Sequence, residues 1–172
     1  MSKQILLIDN IAFAKKNEHL AGELSLEDCA RLDELLHSST DSKVSRAGLI
    51  SYVLQGKTDA LGQHILQLSI ACKLTTSCQR CLNAMPLNIN LNFSYLIGEV
   101  SDIDVEAVDV DNSDDYDLQQ ANKAMDLITL IEDEIIMAMP IAPMHEEGCT
   151  EATMQSGEKP NPFAVLKGLI KS

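Results

Sequence analysis

The 172-residue sequence predicts an α+β domain: an antiparallel sheet covered by a long helix, with an acidic loop and a tethered C-terminal helix. Three observations carry this expectation. The runs from His64 to Leu74 and from Leu87 to Ile97 alternate apolar and polar residues with a period of two, as half-buried strands do. Asp126 can cap a run in which Leu127, Ile128, Ile131, Ile135, Ala138 and Met139 lie broadly on one helical face, and Pro140 closes it. With 45% apolar residues the chain can build a core. No apolar stretch approaches the roughly 18 residues of a membrane-spanning helix.

From the N-terminus, the apolar run from Lys3 to Ala14 predicts a strand ending near Lys15-Lys16-Asn17. Ser25 with Asp28 three residues on makes a capping-box-like start, and Cys29, Leu32 and Leu36 follow at helical spacing, so a helix is expected over 26–37. The run Leu49-Ile50-Ser51-Tyr52-Val53-Leu54 reads as a strand, with a turn from Gly56 to Gly62. The two alternating runs then form a hairpin, with Leu66, Leu68, Ile70, Leu91, Phe93 and Tyr95 expected to face one core and Cys78-Gln79-Arg80-Cys81 at the tip. Cys29 and Cys72 fall on apolar faces and read as core. Residues 99–117 hold nine acids and no base, the composition of an extended, hydrated loop. After the helix, residues 146–160 are polar and turn-rich, and Asn161-Pro162 can start a short helix with Phe163, Leu166, Leu169 and Ile170 on one stripe. The expected organisation is one domain over 1–145, then a linker and short helix over 146–172.

Charge is segregated. Residues 1–98 balance nine acids with nine bases, residues 99–158 carry seventeen acids against Lys123 alone, and Lys159, Lys167 and Lys171 follow, for a net charge of −13. A concentrated negative field repels nucleic acid and attracts basic partners, which disfavours tight binding to RNA or DNA; the other reading is a merely solvated loop. The start Met-Ser-Lys-Gln-Ile shows no signal peptide, five cysteines, an odd number, suggest reduced thiols in the cytoplasm, and the short apolar stretches lead to the expectation of no membrane role.

Two motifs fail on inspection. Gly56-Lys57-Thr58 resembles the end of a phosphate-binding loop, but Ser51 stands where that loop needs glycine. His145-Glu146 begins like a zinc-protease helix, yet Cys149 replaces the second histidine, and Pro143 and Gly148 oppose a helix. The Cys78/Cys81 pair leaves three uses open: redox chemistry, zinc binding, or a structural turn. Thiol redox catalysis favours a pair at a helix N-terminus, whereas here a strand follows. A hairpin tip suits zinc, with His145 and Cys149 as the further candidate ligands. The terminal apolar stripe would dock either on its own domain or in a partner's groove.

Cys78-Gln79-Arg80-Cys81-Leu82, the run from Glu132 to Pro140, Pro143 with His145 and Cys149, and Asn161-Pro162-Phe163-Ala164-Val165-Leu166 together resemble the large ribosomal RNA subunit accumulation protein (YceD) family of bacteria, in the family's order. The resemblance implies a cytoplasmic, non-catalytic role in the synthesis, processing or stability of large-subunit (23S) ribosomal RNA. Combined with the charge pattern, it leads to an expected partner, a basic ribosomal protein or large-subunit assembly factor. The expected contacts are the acids of 99–117 with Glu132, Asp133 and Glu134, and the tail residues Asn161, Pro162, Phe163 and Leu166. The competing classes are a zinc-dependent adaptor unrelated to ribosomes and a thiol- or metal-dependent enzyme acting on RNA. The second is opposed by the lack of an evident nucleophile-base-orienter set.

Overall fold

The computed structural model describes residues 5–38, 48–98, 116–146 and 149. The expected acidic loop, apart from Tyr116 and Asp117, and the C-terminal segment with Asn161, Pro162, Phe163 and Leu166 lie outside them. The first expected strand is instead split. Leu7–Ile8 form a two-residue strand, β1, and Asn10–Lys15 form a helix, α1. The cause is Asp9, whose carboxylate accepts the Ala12 N–H at 2.9 Å and caps the helix that the apolar run disguised. The buried Asn10 amide anchors α1 by donating to the Gln120 carbonyl and accepting the Asn122 N–H, each at 2.9 Å.

Strand β2, His19–Ser25, had no expectation from the sequence. Its inward positions are Leu20, Gly22 and Leu24, and the glycine breaks the apolar alternation. A Cβ at Gly22 would lie 2.7 Å from the Tyr52 hydroxyl oxygen, so any larger residue there requires the Tyr52 ring to shift. Asp28 accepts both the Ser25 N–H and its hydroxyl, at 2.9 and 2.7 Å, over a single 3-10 turn, Leu26–Asp28. Helix α2 then runs over Ala30–Ser38.

The remaining sheet follows as β3 (Leu49–Thr58), β4 (His64–Ser77), β5 (Ala84–Gly98) and the short β6 (Asp117–Gln120). Their order is β2-β3-β4-β5-β6, antiparallel throughout except for the parallel pairing of β6 on β5. The hairpin expectation holds: Leu66 pairs with Tyr95, Leu68 with Phe93 and Ile70 with Leu91, so all six side chains share the inner face. Gly56-Lys57-Thr58 is the end of β3, not a phosphate-binding loop. Strand β7, Met125–Asp126, pairs with β1 and leads into helix α3, Leu127–Ala138, which Asp126 caps and which stops before Pro140 as expected.

Among the described residues no single long helix covers the sheet. The twelve-residue α3 shares the core with the two shorter helices: Leu127, Ile128, Ile131 and Ile135 join Phe13 of α1 and Leu32 and Leu36 of α2 against the inner residues of β3, β4 and β5. Gly56 marks the closest approach, where an added Cβ would lie 2.5 Å from the Phe13 carbonyl oxygen and 2.8 Å from the Ala14 Cα. Backbone at that range cannot swing aside as a side chain would. Gly56→Ala is therefore expected to cost about 1–3 kcal/mol, read as a lower urea midpoint at unchanged slope. An unaltered midpoint would show that α1 can shift freely on the sheet.

The acidic run of α3 is built into this packing. Glu132 is buried and accepts the Arg31 and Leu32 N–H groups of α2 at 2.6 and 2.9 Å, with the Arg31 Nε at 2.9 Å. Asp133, half exposed, pairs with the Arg31 guanidinium at 2.6 Å. Glu134 is buried and accepts the Tyr95 hydroxyl at 2.8 Å. Burial pushes the Glu134 carboxyl above its ordinary range, partly offset by the Tyr95 hydrogen bond, while Asp117 and Asp133 push it up further. The sign follows: the folded state holds the Glu134 proton more firmly, so this group's stabilising contribution is present at acid pH and is lost as pH rises from the ordinary carboxylate range through the raised value. Glu134→Gln keeps an acceptor for Tyr95 and should flatten that part of the stability-pH curve, measured by urea denaturation between pH 4 and 8 (~4–8). An unchanged slope would assign the pH dependence to other groups.

No helix among the described residues is long and apolar enough to cross a membrane.

Candidate metal centre

The hairpin tip between β4 and β5 is a tight reversal spanning residues 78–83. The Cys78 N–H donates to the Asn83 carbonyl at 2.9 Å, and the Leu82 N–H donates back to the Cys78 carbonyl at 2.8 Å. Leu82 closes the turn with a φ of 59°, the left-handed region that side chains rarely adopt. This curl aims the backbone N–H groups of Arg80 and Cys81 at the Cys78 sulfur.

The second half comes from the chain beyond α3. Pro140 ends the helix, and the buried Pro143 offers its carbonyl to the Gln79 N–H at 2.8 Å, stapling this segment to the turn. His145 is thereby brought to the cysteines. Its backbone N–H points at the Cys78 sulfur at 3.4 Å, and its Nδ1 lies 3.4 Å from the Cys81 sulfur. The Cys149 sulfur lies 3.8 Å from that of Cys78. The four ligand atoms of Cys78, Cys81, His145 and Cys149 all fall within 4.8 Å of one another. Sixty-three intervening residues separate Cys81 from His145, and the fold closes that distance.

The electrostatics favour an anionic sulfur at Cys78. Burial pushes the Cys78 thiol up, but N–H groups of Cys81, His145 and Arg80, with the Cys81 side chain, pull harder and lower it to about 5. Cys81 moves the other way. The Asn83 N–H pulls it down, yet burial and the sulfurs of Cys78 and Cys149 leave it raised, because one thiolate discourages the next. Such a cluster of crowded sulfurs calls for a cation. Cys72 contrasts with it: burial pushes that thiol up to about 11, an inert core group as expected, and Cys29 is likewise buried.

The donor set fits a soft or borderline divalent metal. Tetrahedral zinc with Zn–S bonds of about 2.3 Å and Zn–N bonds of about 2.0–2.1 Å places sulfur atoms about 3.8 Å apart and sulfur and nitrogen about 3.6 Å apart. The Cys78–Cys149 and Cys81–His145 separations of 3.8 and 3.4 Å match those edges.

The structure thus brings together all four residues expected at a metal site. It places the other expected contacts differently: Glu132 and Glu134 lie inside the domain, only Asp133 of that run is half exposed, and the tail residues lie outside the described residues. Sequence reasoning missed Arg80 and Pro143 as parts of the site. Arg80 donates through Nε to the Cys149 sulfur at 2.9 Å and through Nη2 to the carbonyls of His145 and Glu146 at 3.2 and 2.8 Å. A cation written between two cysteines was its available signal.

Comparison with known proteins bears on the same region. The family model described as large ribosomal RNA subunit accumulation protein YceD matches residues 66–170, from β4 through the Cys/His cluster and beyond. A curated protein of Haemophilus influenzae, described as large ribosomal RNA subunit accumulation protein YceD, is 26% identical over 181 residues, covering 95% of this chain and 94% of that protein. No solved structure matches.

Proposed function

The chain belongs to the YceD family of large ribosomal RNA subunit accumulation proteins, and from that premise we propose that it acts without catalysis, supporting the synthesis, processing or stability of 23S ribosomal RNA through contacts with a basic ribosomal protein or assembly factor in the cytoplasm. The observation that supports a protein partner is the charge division, seventeen acids against one base over residues 99–158. A surface with that field loses free energy approaching RNA, whereas a lysine- and arginine-rich protein gains it. Glu132 and Glu134 are engaged inside the domain, so the contact rests on the acids of residues 99–117, with Asp133 as a further acid and the apolar tail of Phe163 and Leu166 as a second anchor.

Within this reading the Cys/His centre binds zinc in a structural role, held by Cys78, Cys81, His145 and Cys149. Bound there, zinc would supply a cross-link between the hairpin tip and the segment that leads into the tail. The match of the sulfur and nitrogen separations to a zinc tetrahedron supports it.

Affinity purification from cells, with and without RNase, tests the function. Large-subunit proteins retained after RNase treatment support protein-borne recruitment; association that vanishes with RNase, or tight binding of the pure protein to naked large-subunit RNA near ~0.15 M salt, refutes it. Replacing the acids of 99–117 by Asn and Gln is expected to slow partner capture by about 10-fold or more, with a smaller effect on dissociation, and added salt should do the same to the unaltered protein. Capture rates that ignore both changes would reduce these acids to a solvated loop.

A further inference from the structure

We propose that Arg80 is the positioning residue of the Cys/His centre: its guanidinium latches His145, Glu146 and Cys149 onto the hairpin tip, delivers Cys149 as the fourth ligand and balances the charge of a three-thiolate site. The inference rests on the metal reading above and goes beyond the four ligands themselves.

The centre is assembled from two pieces of chain, and Arg80 is exposed at their seam. Its side chain reaches the Cys149 sulfur at 2.9 Å and the carbonyls of His145 and Glu146 at 3.2 and 2.8 Å. Three acceptors on one segment are thus held by one rigid, planar group whose donors project in fixed directions. The hairpin half needs no such help, since Cys78 and Cys81 are set by the turn's own backbone bonds. On the other half, the Gln79–Pro143 hydrogen bond and the His145 N–H secure the chain only up to residue 145. Beyond that point the Arg80 guanidinium holds the Glu146 carbonyl and the Cys149 sulfur, and the Cys78 sulfur adds a longer contact to Cys149 at 3.8 Å.

Charge leads to the same residue. A divalent cation held by three thiolates and a neutral imidazole carries one net negative charge, and the guanidinium cancels it. A positively charged donor on a ligand sulfur draws off electron density, so the Arg80 contact at 2.9 Å would moderate the donor strength of the Cys149 sulfur toward a bound metal. Lysine would keep the charge and lose the fork, because its ammonium is a point donor. Latch and charge are therefore separable by substitution.

The test uses the full chain, with zinc affinity read by competition against a chromophoric chelator and with cobalt(II) as a spectroscopic stand-in. The unaltered protein should bind one equivalent and give a tetrahedral cobalt spectrum with thiolate charge-transfer intensity from three sulfurs. Arg80→Ala should weaken zinc by about 10–100-fold and drop the charge-transfer intensity to that of Cys149→Ser, with the double variant no worse than the single ones. Arg80→Lys should fall between on affinity while retaining more intensity than Arg80→Ala. Arg80→Ala that binds zinc within twofold (~2) of the unaltered protein and keeps the three-thiolate spectrum would overturn the proposal. Should Arg80→Ala fail to fold, Arg80→Lys decides on the same readouts, lowered affinity supporting the latch and full affinity refuting it. An unaltered protein that binds neither metal would instead remove the metal reading itself, and with it this inference.

Discussion

Freshly purified, reduced protein is expected to carry one zinc ion per chain in a native mass spectrum, and Cys78→Ser is expected to lose it. Loss of a direct ligand should cost more than the ~10–100-fold typical of outer-shell partners, and Cys78 is the buried hub whose sulfur receives three backbone N–H groups. With free zinc at about 1,000 times Kd, the holo protein would gain about 4 kcal/mol over the apo protein, so chelation should lower the unfolding midpoint by a readable amount. The sheet should survive chelation. Its core, centred on Leu54, Leu66, Leu68, Ile131 and Ile135, contains none of the four Cys/His residues and should therefore hold without the metal. The local consequence should appear at Gln79, whose N–H is held by the Pro143 carbonyl and should exchange faster in apo protein. Cys72→Ala is the matched control, destabilising the core while keeping the metal. Zinc-free reduced protein, or full zinc retention in Cys78→Ser, would refute the structural metal role.

Glu132→Ala is expected to destabilise the domain by about 3 kcal/mol, an unusual loss for an acid in a chain with twice as many acids as bases. The change removes acceptors from two N–H groups at the start of α2 and from the Arg31 guanidinium. Arg31 is half exposed and can turn to water, so most of the cost lies in the orphaned helix donors and the cavity. Glu132→Gln keeps one acceptor and should lose less, while Asp133→Asn, at a half-exposed position, should stay within about 0.5 kcal/mol. Urea denaturation of the three variants separates the roles. A stable Glu132→Ala protein with impaired partner capture would return Glu132 to the surface function that its sequence context suggested.

The parts of the fold legible in the sequence were those where local pattern and tertiary environment agree. In β4 and β5 the period-two alternation coincides with a sheet covered on one face, so strand limits and the shared face of Leu66, Leu68, Ile70, Leu91, Phe93 and Tyr95 could be read directly. Helix α3 was equally legible because Asp126 and Pro140 punctuate it. The errors arose where a neighbour overrode local pattern. Residues 10–15 look like strand but are capped by Asp9 and anchored through Asn10 to Gln120 and Asn122, residues that no local window contains. Strand β2 went unread because Gly22 occupies an inward position reserved for the Tyr52 ring.

The site divides along the same line. Residue chemistry and order alone placed Cys78 and Cys81 at a hairpin tip and confined the negative charge to one part of the chain, and they offered His145 and Cys149 as candidate co-ligands while leaving redox, zinc and structural uses of the pair open. Each is a property of residue type and order, which local rules can read. Only the tertiary structure decided that the four ligands meet within 4.8 Å, that Arg80 joins the two halves, and that Glu132 and Glu134 serve the interior. Those outcomes depend on distances between residues far apart in the chain, set by how the helices pack on the sheet and by the path of the chain after Pro140. A carboxylate has the same letter whether it faces water or two helix N–H groups, and its burial is decided by what folds against it.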